Sequence, residues 1–149
     1  MNFLYFSFLL THFFSISTST VEIEKNILGK WMSEEKNLEV EIFKDGNQYK
    51  SIVVWFDDSD DKNIPMALRC DTKNPDKNLR GRKVIGLEVM NGLVYNAEDD
   101  EWQSGRIYDA STGKDWNVKA WLNKDGILKV RGYWHFPIFG ETMSFNKVQ

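Results

Sequence analysis

Residues 105–145 read GRIYDASTGKDWNVKAWLNKDGILKVRGYWHFPIFGETMSF, and the reading of this stretch decides the fold. Alternating runs at 102–109, 116–123, 127–135 and 142–148 are broken by the turn signals Ser111-Thr112-Gly113 and Lys124-Asp125-Gly126. Short alternating runs between tight turns are the sequence form of an antiparallel meander, because Gly and Asx residues accept the backbone angles that reverse a strand.

The same pattern extends toward the N-terminus. Leu38, Val40 and Ile42 alternate with Glu39 and Glu41, which marks a strand with one buried face. Asp45-Gly46-Asn47 then predicts a hairpin, and 48–56 a third strand whose apolar run Ile52 to Phe56 expects cover on both faces. Residues 27–32 open the domain as the first strand, and 84–94 supply the fourth, with Asn91-Gly92 as a turn or bulge inside it. Eight strands and no amphipathic helix of any length predict an all-β domain over 27–149. A single antiparallel barrel removes the exposed edges that an open sheet would leave, with a sandwich as the alternative. One connection of about 26 residues, 57–82, joins strands three and four, too long for a structureless link, so a short helix or packed lid is expected there.

A chain of 149 residues, 42% hydrophobic and 14% aromatic, supports one domain with a sizeable core. All 19 Lys and Arg and all 22 Asp and Glu follow residue 20, so the formal charge of −3 belongs to the domain. That mild, mixed balance gives no electrostatic case for nucleic-acid or anionic-membrane binding. Residues 3–14 form a mostly apolar run of about 12, followed by small residues up to Thr20, which predicts a signal peptide over 1–19 rather than a span of ~20 residues. Only the α-amine charges its start; the alternative is an uncleaved anchor. The expectation is therefore an exported protein, periplasmic or secreted. With Cys70 as its lone cysteine the domain forms no internal disulfide, and a reactive thiol would need a base that only His135 among the exported residues offers.

Asp57-Asp58-Ser59-Asp60-Asp61-Lys62-Asn63 resembles a calcium loop in composition only. Lys62 stands where the sharp turn needs Gly, and Leu68 where a bidentate Glu is required, so a solvated acidic loop is expected and no metal. The following Lys73, Lys77, Arg80, Arg82 and Lys83 form a basic run, which predicts a solvated face, with an anion site as the alternative.

Several motifs in order resemble one family. Gly29-x-Trp31, Asp71-x-x-Asn74-Pro75, Leu79-Arg80-Gly81-Arg82, Gly86-Leu87, Trp102-x-x-Gly105-x-Ile107-Tyr108-Asp109, Gly113-Lys114, Leu128 to Tyr133 and Gly140-x-Thr142 are similar to the bacterial domain-of-unknown-function family 2147. The resemblance covers nearly all of 28–148. It implies an exported bacterial protein with an eight-stranded, lipocalin-like (calycin-type) barrel and a role in binding small apolar molecules. Ala110, where Pro is common, and Phe145, where Trp is common, depart from the pattern without disturbing turn or core character. Lipocalins also carry Gly-x-Trp on the first strand with an Arg from a late strand on the indole. By that likeness Gly29, Trp31 and Arg131 are expected to be structural, with Arg131 stacked on Trp31.

Alternation places Val118 and Ala120 on one face with Trp116, and Leu128 and Val130 on one face with Gly132 and Trp134. Both Trp residues therefore fall in line with the core at strand ends, where a barrel mouth lies, and Ala120 and Gly132 either leave room for a ligand or fit the taper of a filled barrel. With Trp55, Tyr108, Phe136 and Phe139 also near strand ends, an aromatic-rimmed cavity for an apolar or amphipathic ligand is expected. Arg106 anchors a ligand carboxylate if its face of the fifth strand points inward, and is solvated if Ile107 points inward, the option hydrophobicity favours. Asp71, Asn74 and Asp109 sit in turn-rich contexts and are expected to accept backbone hydrogen bonds rather than act as bases. No phosphate loop, nucleophile elbow or metal-spaced His/Cys cluster is present. Three readings follow: a non-catalytic small-molecule binder without a cofactor, a protein-interaction module with a filled barrel acting through 57–82, and a hydrolase with paired acids at the mouth.

Overall fold

The computed structural model describes residues 26–148, so the expected signal peptide lies outside the described residues. Eight strands follow in chain order: β1 (Gly29–Ser33), β2 (Leu38–Asp45), β3 (Gln48–Phe56), β4 (Glu88–Asn96), β5 (Glu101–Asp109), β6 (Lys114–Leu122), β7 (Leu128–Tyr133) and β8 (Gly140–Lys147). Each pairs antiparallel with its sequence neighbour, and β8 returns to β1, closing the barrel. The sandwich alternative therefore falls. The long connection contains two single-turn 3-10 helices, Met66–Leu68 and Lys77–Leu79, and a third, Pro137–Phe139, lies between β7 and β8.

Several register shifts shape the sheet, and two of them fall where a residue takes positive φ. Asn91-Gly92 adds one residue to β4 against β3, where Tyr49 pairs with Leu93 but Ser51 with Met90, and Gly92 takes φ of +72°. Opposite it, Ser104 at φ +65° adds one residue to β5 against β6, between Trp102↔Ala120 and Gly105↔Val118. Both keep the apolar residues on either side facing inward.

Antiparallel order sorts the connections between two barrel ends. One end carries the entry to β1 and the β2–β3, β4–β5 and β6–β7 turns. It is plugged: Ile27, Trp31, Tyr49, Leu93, Trp102 and Leu128 are buried there, with the Tyr49 and Trp102 rings edge-on at 6.1 Å. Ile27 was expected inside the first strand. Instead the strand begins at Gly29 (φ +107°), and the chain before it folds under the barrel so that the Trp31 indole donates to the Ile27 carbonyl at 2.7 Å. The other end carries the β1–β2 turn, the long connection, the β5–β6 hairpin and the β7–β8 connection.

Arg131 does not stack on Trp31. Val130 is buried, so alternation sends Arg131 to the outer face, where it bonds Thr142 Oγ1 at 2.8 Å. The cation over the Trp31 ring is Lys147, at 5.4 Å, because β8 pairs Lys147 directly with Trp31 across the closing seam.

Gly105 sits where two strands' core side chains press closely on the backbone. A Cβ there would lie 2.8 Å from side-chain carbons of both Leu93 and Val118. Gly105→Ala is expected to lower unfolding free energy by ~1–3 kcal/mol through overpacking, measured by chemical denaturation. An unchanged midpoint would mean that Leu93 and Val118 shift at no cost.

Candidate functional site

The end opposite the plug is built in two parts, a polar anchor and an aromatic cleft. The anchor centres on Asp71, which is 0% exposed. Its carboxylate accepts from the Tyr108 hydroxyl at 2.7 Å, from Asn74 Nδ2 at 2.8 Å and from Arg82 Nε at 2.9 Å. Arg82 also lies over the Tyr108 ring at 5.3 Å. Asn74 in turn accepts from Asp76 N and, through its carbonyl, from Arg80 Nε. Three segments distant in sequence thus meet at one carboxylate. Next to it, Gly113 at φ +73° presses the β5–β6 hairpin so close to Lys73 that a Cβ would collide with the Lys73 carbonyl.

Burial pushes the Asp71 carboxyl up, but the hydrogen bonds from Tyr108, Asn74 and Arg82, with the Arg82 charge, outweigh it and hold the group below the usual carboxylate range. Tyr108 is raised, by burial first and by Asp71 second. Asp109 is likewise lowered: burial opposes, and the hydroxyl and backbone donors of Ser111 and Thr112 prevail. Asp109 is the turn-former that was expected. Asp71 is more than that, since its main partners are a distant phenol and a guanidinium rather than the adjacent backbone.

The first half of the connection is organised around another arginine. Arg69 makes five hydrogen bonds into the acidic loop: Nε to the Ile64 carbonyl, both terminal nitrogens to the Asp60 carboxylate, and Nη2 to the Asp58 and Asp61 carbonyls. The acidic loop is not simply solvated; it encloses a guanidinium. The basic run is likewise mostly committed, with Arg82 on Asp71, Arg80 on Asn74 and Lys83 on the Leu68 carbonyl. Cys70, half-buried, forms an isolated bridge with Lys83, and its thiol donates to the Leu68 carbonyl at 3.4 Å. Among the described residues no His, Cys, Asp or Glu group is arranged to hold a metal.

The cleft lies on the neighbouring strands. Trp116 on β6 and Trp134 just past β7 meet edge-on at 5.8 Å, and with Arg106, Lys114 and Asp115 they line an open cleft of about 540 Å³. Ile107 packs against the core, as hydrophobicity favoured, so Arg106 lies on the opposite face, donates to Asn117 Oδ1 at 3.0 Å and reaches the cleft from its rim. Gly132 leaves no large void: a Cβ there would sit in ordinary contact with Ile107 and Trp116 at 3.7 and 3.9 Å, so it fits the taper, as buried Ala120 does. Tyr108 belongs to the anchor. Trp55 is half-buried at the end of β3 and is not among the cleft's lining residues; Phe136 and Phe139 stand exposed on the β7–β8 connection.

Residues 29–147 match the family described as an uncharacterized protein conserved in bacteria, DUF2147. No curated protein matches the chain. Among solved structures, a protein of the human pathogen Helicobacter pylori, HP1028, described as belonging to the lipocalin family, superposes with a TM-score of 0.71 at 20% identity over 83% of each chain.

The anchor makes stability depend on pH at both extremes. A carboxyl depressed in the folded state contributes stability that is present above the unfolded value of about 3.9 and lost as pH falls through the folded value; a raised phenol contributes stability present below about 10 and lost as pH rises through its folded value. Asp71→Ala is expected to cost ~2–3 kcal/mol at neutral pH, a figure held down because a third of the Arg82 side chain reaches water. The variant should also lose less stability than the parent below about pH 4. Thermal melts across pH check both, and an acid limb identical to the parent's would remove Asp71 from its cause.

Proposed function

Since the chain belongs to the bacterial family DUF2147 and its barrel has the fold of a structure described as a lipocalin, we propose that it binds a small, largely apolar ligand at the unplugged barrel end, without chemistry. One observation carries the reading: two Trp rings converge at 5.8 Å on a cleft of about 540 Å³, within the range of roughly 300–1,000 Å³ typical of small-molecule sites. Because the opposite end is filled, the ligand lies at the mouth against Trp116 and Trp134 rather than deep along the axis. Arg106 and Lys114 at the rim favour a ligand with an acidic group, to which the Arg106 guanidinium would donate bidentately.

Two observations favour binding over the other readings. The charges of the long connection are largely committed to internal partners, which leaves that segment less able to recognise a protein by charge. Asp71 and Asp109, both below the usual carboxylate range, are weak bases and poor general acids at neutral pH.

Native mass spectrometry of protein purified from its source should show a bound small molecule, and Trp fluorescence should change on titration with long-chain fatty acids. Trp116→Ala or Trp134→Ala is expected to weaken that binding by roughly 5–30-fold, the loss of one aromatic contact wall of about 1–2 kcal/mol. No adduct, together with an unresponsive emission across fatty acids and retinoids, would refute the reading.

A further inference from the structure

The β7–β8 connection presents its apolar side chains to water. Within six residues, Trp134, Phe136, Ile138 and Phe139 are 57%, 65%, 78% and 72% exposed. Scattered apolar residues on a surface need no account, but four large ones on one tip do. None of them contributes to the core, and only Trp134 lines the cleft.

Part of the backbone of this tip is satisfied from within the chain. Arg131 reaches under it and donates from Nε to the Pro137 carbonyl at 2.5 Å and from Nη2 to the Ile138 carbonyl at 3.3 Å. The Phe139 N–H bonds the Phe136 carbonyl at 3.0 Å, closing the 3-10 turn, and Pro137 has no N–H to satisfy. Hydrocarbon penalises every unpaired backbone group, so the Phe136, Pro137 and Ile138 carbonyls, already held from within the chain, enter such a medium at reduced cost.

Charge around the tip points to the occupant. Arg131 holds the tip, and Arg106 and Lys114 share the cleft with its Trp134, three cations beside the two acids Asp115 and Glu141. Apolar and aromatic side chains at the centre with guanidinium and ammonium groups set back from them match the layering of a bilayer surface, acyl chains below and phosphates above.

We propose that the 134–139 tip seats the barrel mouth on a bilayer surface that carries anionic phospholipid, with Phe136, Ile138 and Phe139 at the acyl boundary and Arg131, Arg106 and Lys114 at the phosphates. The contact is local and reversible, and it does not require the chain to span the membrane. It places the Trp116–Trp134 cleft beside the lipid, and because Arg106 and Lys114 also line that cleft, lipid phosphate and an acidic ligand would compete for them.

The test is co-sedimentation of ligand-free protein with vesicles of phosphatidylcholine, with and without phosphatidylglycerol. Binding is expected to the phosphatidylglycerol vesicles, to fall as salt rises, and to drop at least about tenfold in Phe136→Ser/Ile138→Ser/Phe139→Ser. Those three side chains lie outside the core, and circular dichroism reports whether the variant folds. If it does not, quenching of the unaltered protein's Trp emission by brominated acyl chains decides instead, through Trp134. No sedimentation with anionic vesicles, equal sedimentation of parent and folded variant, or a parent dimer at sedimentation equilibrium that the variant dissolves would each overturn the proposal, the last by assigning the tip to a second copy.

Discussion

The seam between β1 and β8 is the constraint on which the rest of the barrel depends. β1 has five residues, yet it pairs on both sides: Trp31 faces Val40 on β2 and Lys147 on β8, and Ser33 faces Phe145. Without it, β2 and β8 would each present an unpaired edge. The seam is fixed at both its ends by groups that have no freedom to slide. Below, Trp31 is tied to the Ile27 carbonyl and covered by Lys147. Above, the Ser33 hydroxyl donates to Asn37 Oδ1 and accepts from the Asn37 and Leu38 backbone N–H groups, while Glu34 N bonds the Ser144 carbonyl. A slip of one residue would turn Trp31 outward and Lys30 inward, and closure propagates that choice through every strand.

The two barrel ends are held by different physics. At the plugged end the work is apolar: large rings from β1, β3 and β5 fill the axis, a contribution that scales with area and tolerates compensating changes of shape. At the other end one buried carboxylate gathers a phenol, an amide and a guanidinium from the long connection and β5, an arrangement that depends on direction and fails when a single partner is lost. The long connection therefore behaves as part of the frame rather than as a loose lid, and the open surface of that end is left to β6, β7 and the tip that follows.

The strands were legible because alternation and turn chemistry agree. β3 has the expected bounds, and Gly46, Gly113 and Gly126 each take positive φ in the turns that the sequence marks. Legibility failed where an apolar residue serves something other than a strand. Ile27 caps the barrel, residues 84–87 form a turn around Gly86 before β4 begins at Glu88, and Trp134 and His135 leave the sheet for the turn that Pro137 starts. Arg131 shows a different failure. Its own alternation with Val130 and Gly132 placed it outside, and a likeness to lipocalins argued the reverse; the local period was the sounder guide. Of the site, alternation put Trp116 and Trp134 each in line with core positions, while their edge-on meeting comes from the β6–β7 register that pairs Val118 with Gly132. The Asp71 cluster did not, because Asp71, Arg82 and Tyr108 are brought together by the path of a connection that has no period of its own. Arg82 looked like one charge in a run and Tyr108 like one aromatic at a strand end.

Arg69 within the acidic loop has a consequence for how that segment meets its surroundings. The guanidinium is an internal counterion, tethered between 5 and 11 residues from the carboxylate and carbonyls it satisfies, so its effective concentration there is on the order of millimolar or above whatever the medium contains. A divalent cation would have to displace a ligand that cannot diffuse away, at a loop that lacks the bidentate acid needed to compensate. A run of aspartates that would repel itself as free chain is thereby gathered around a charge of its own segment.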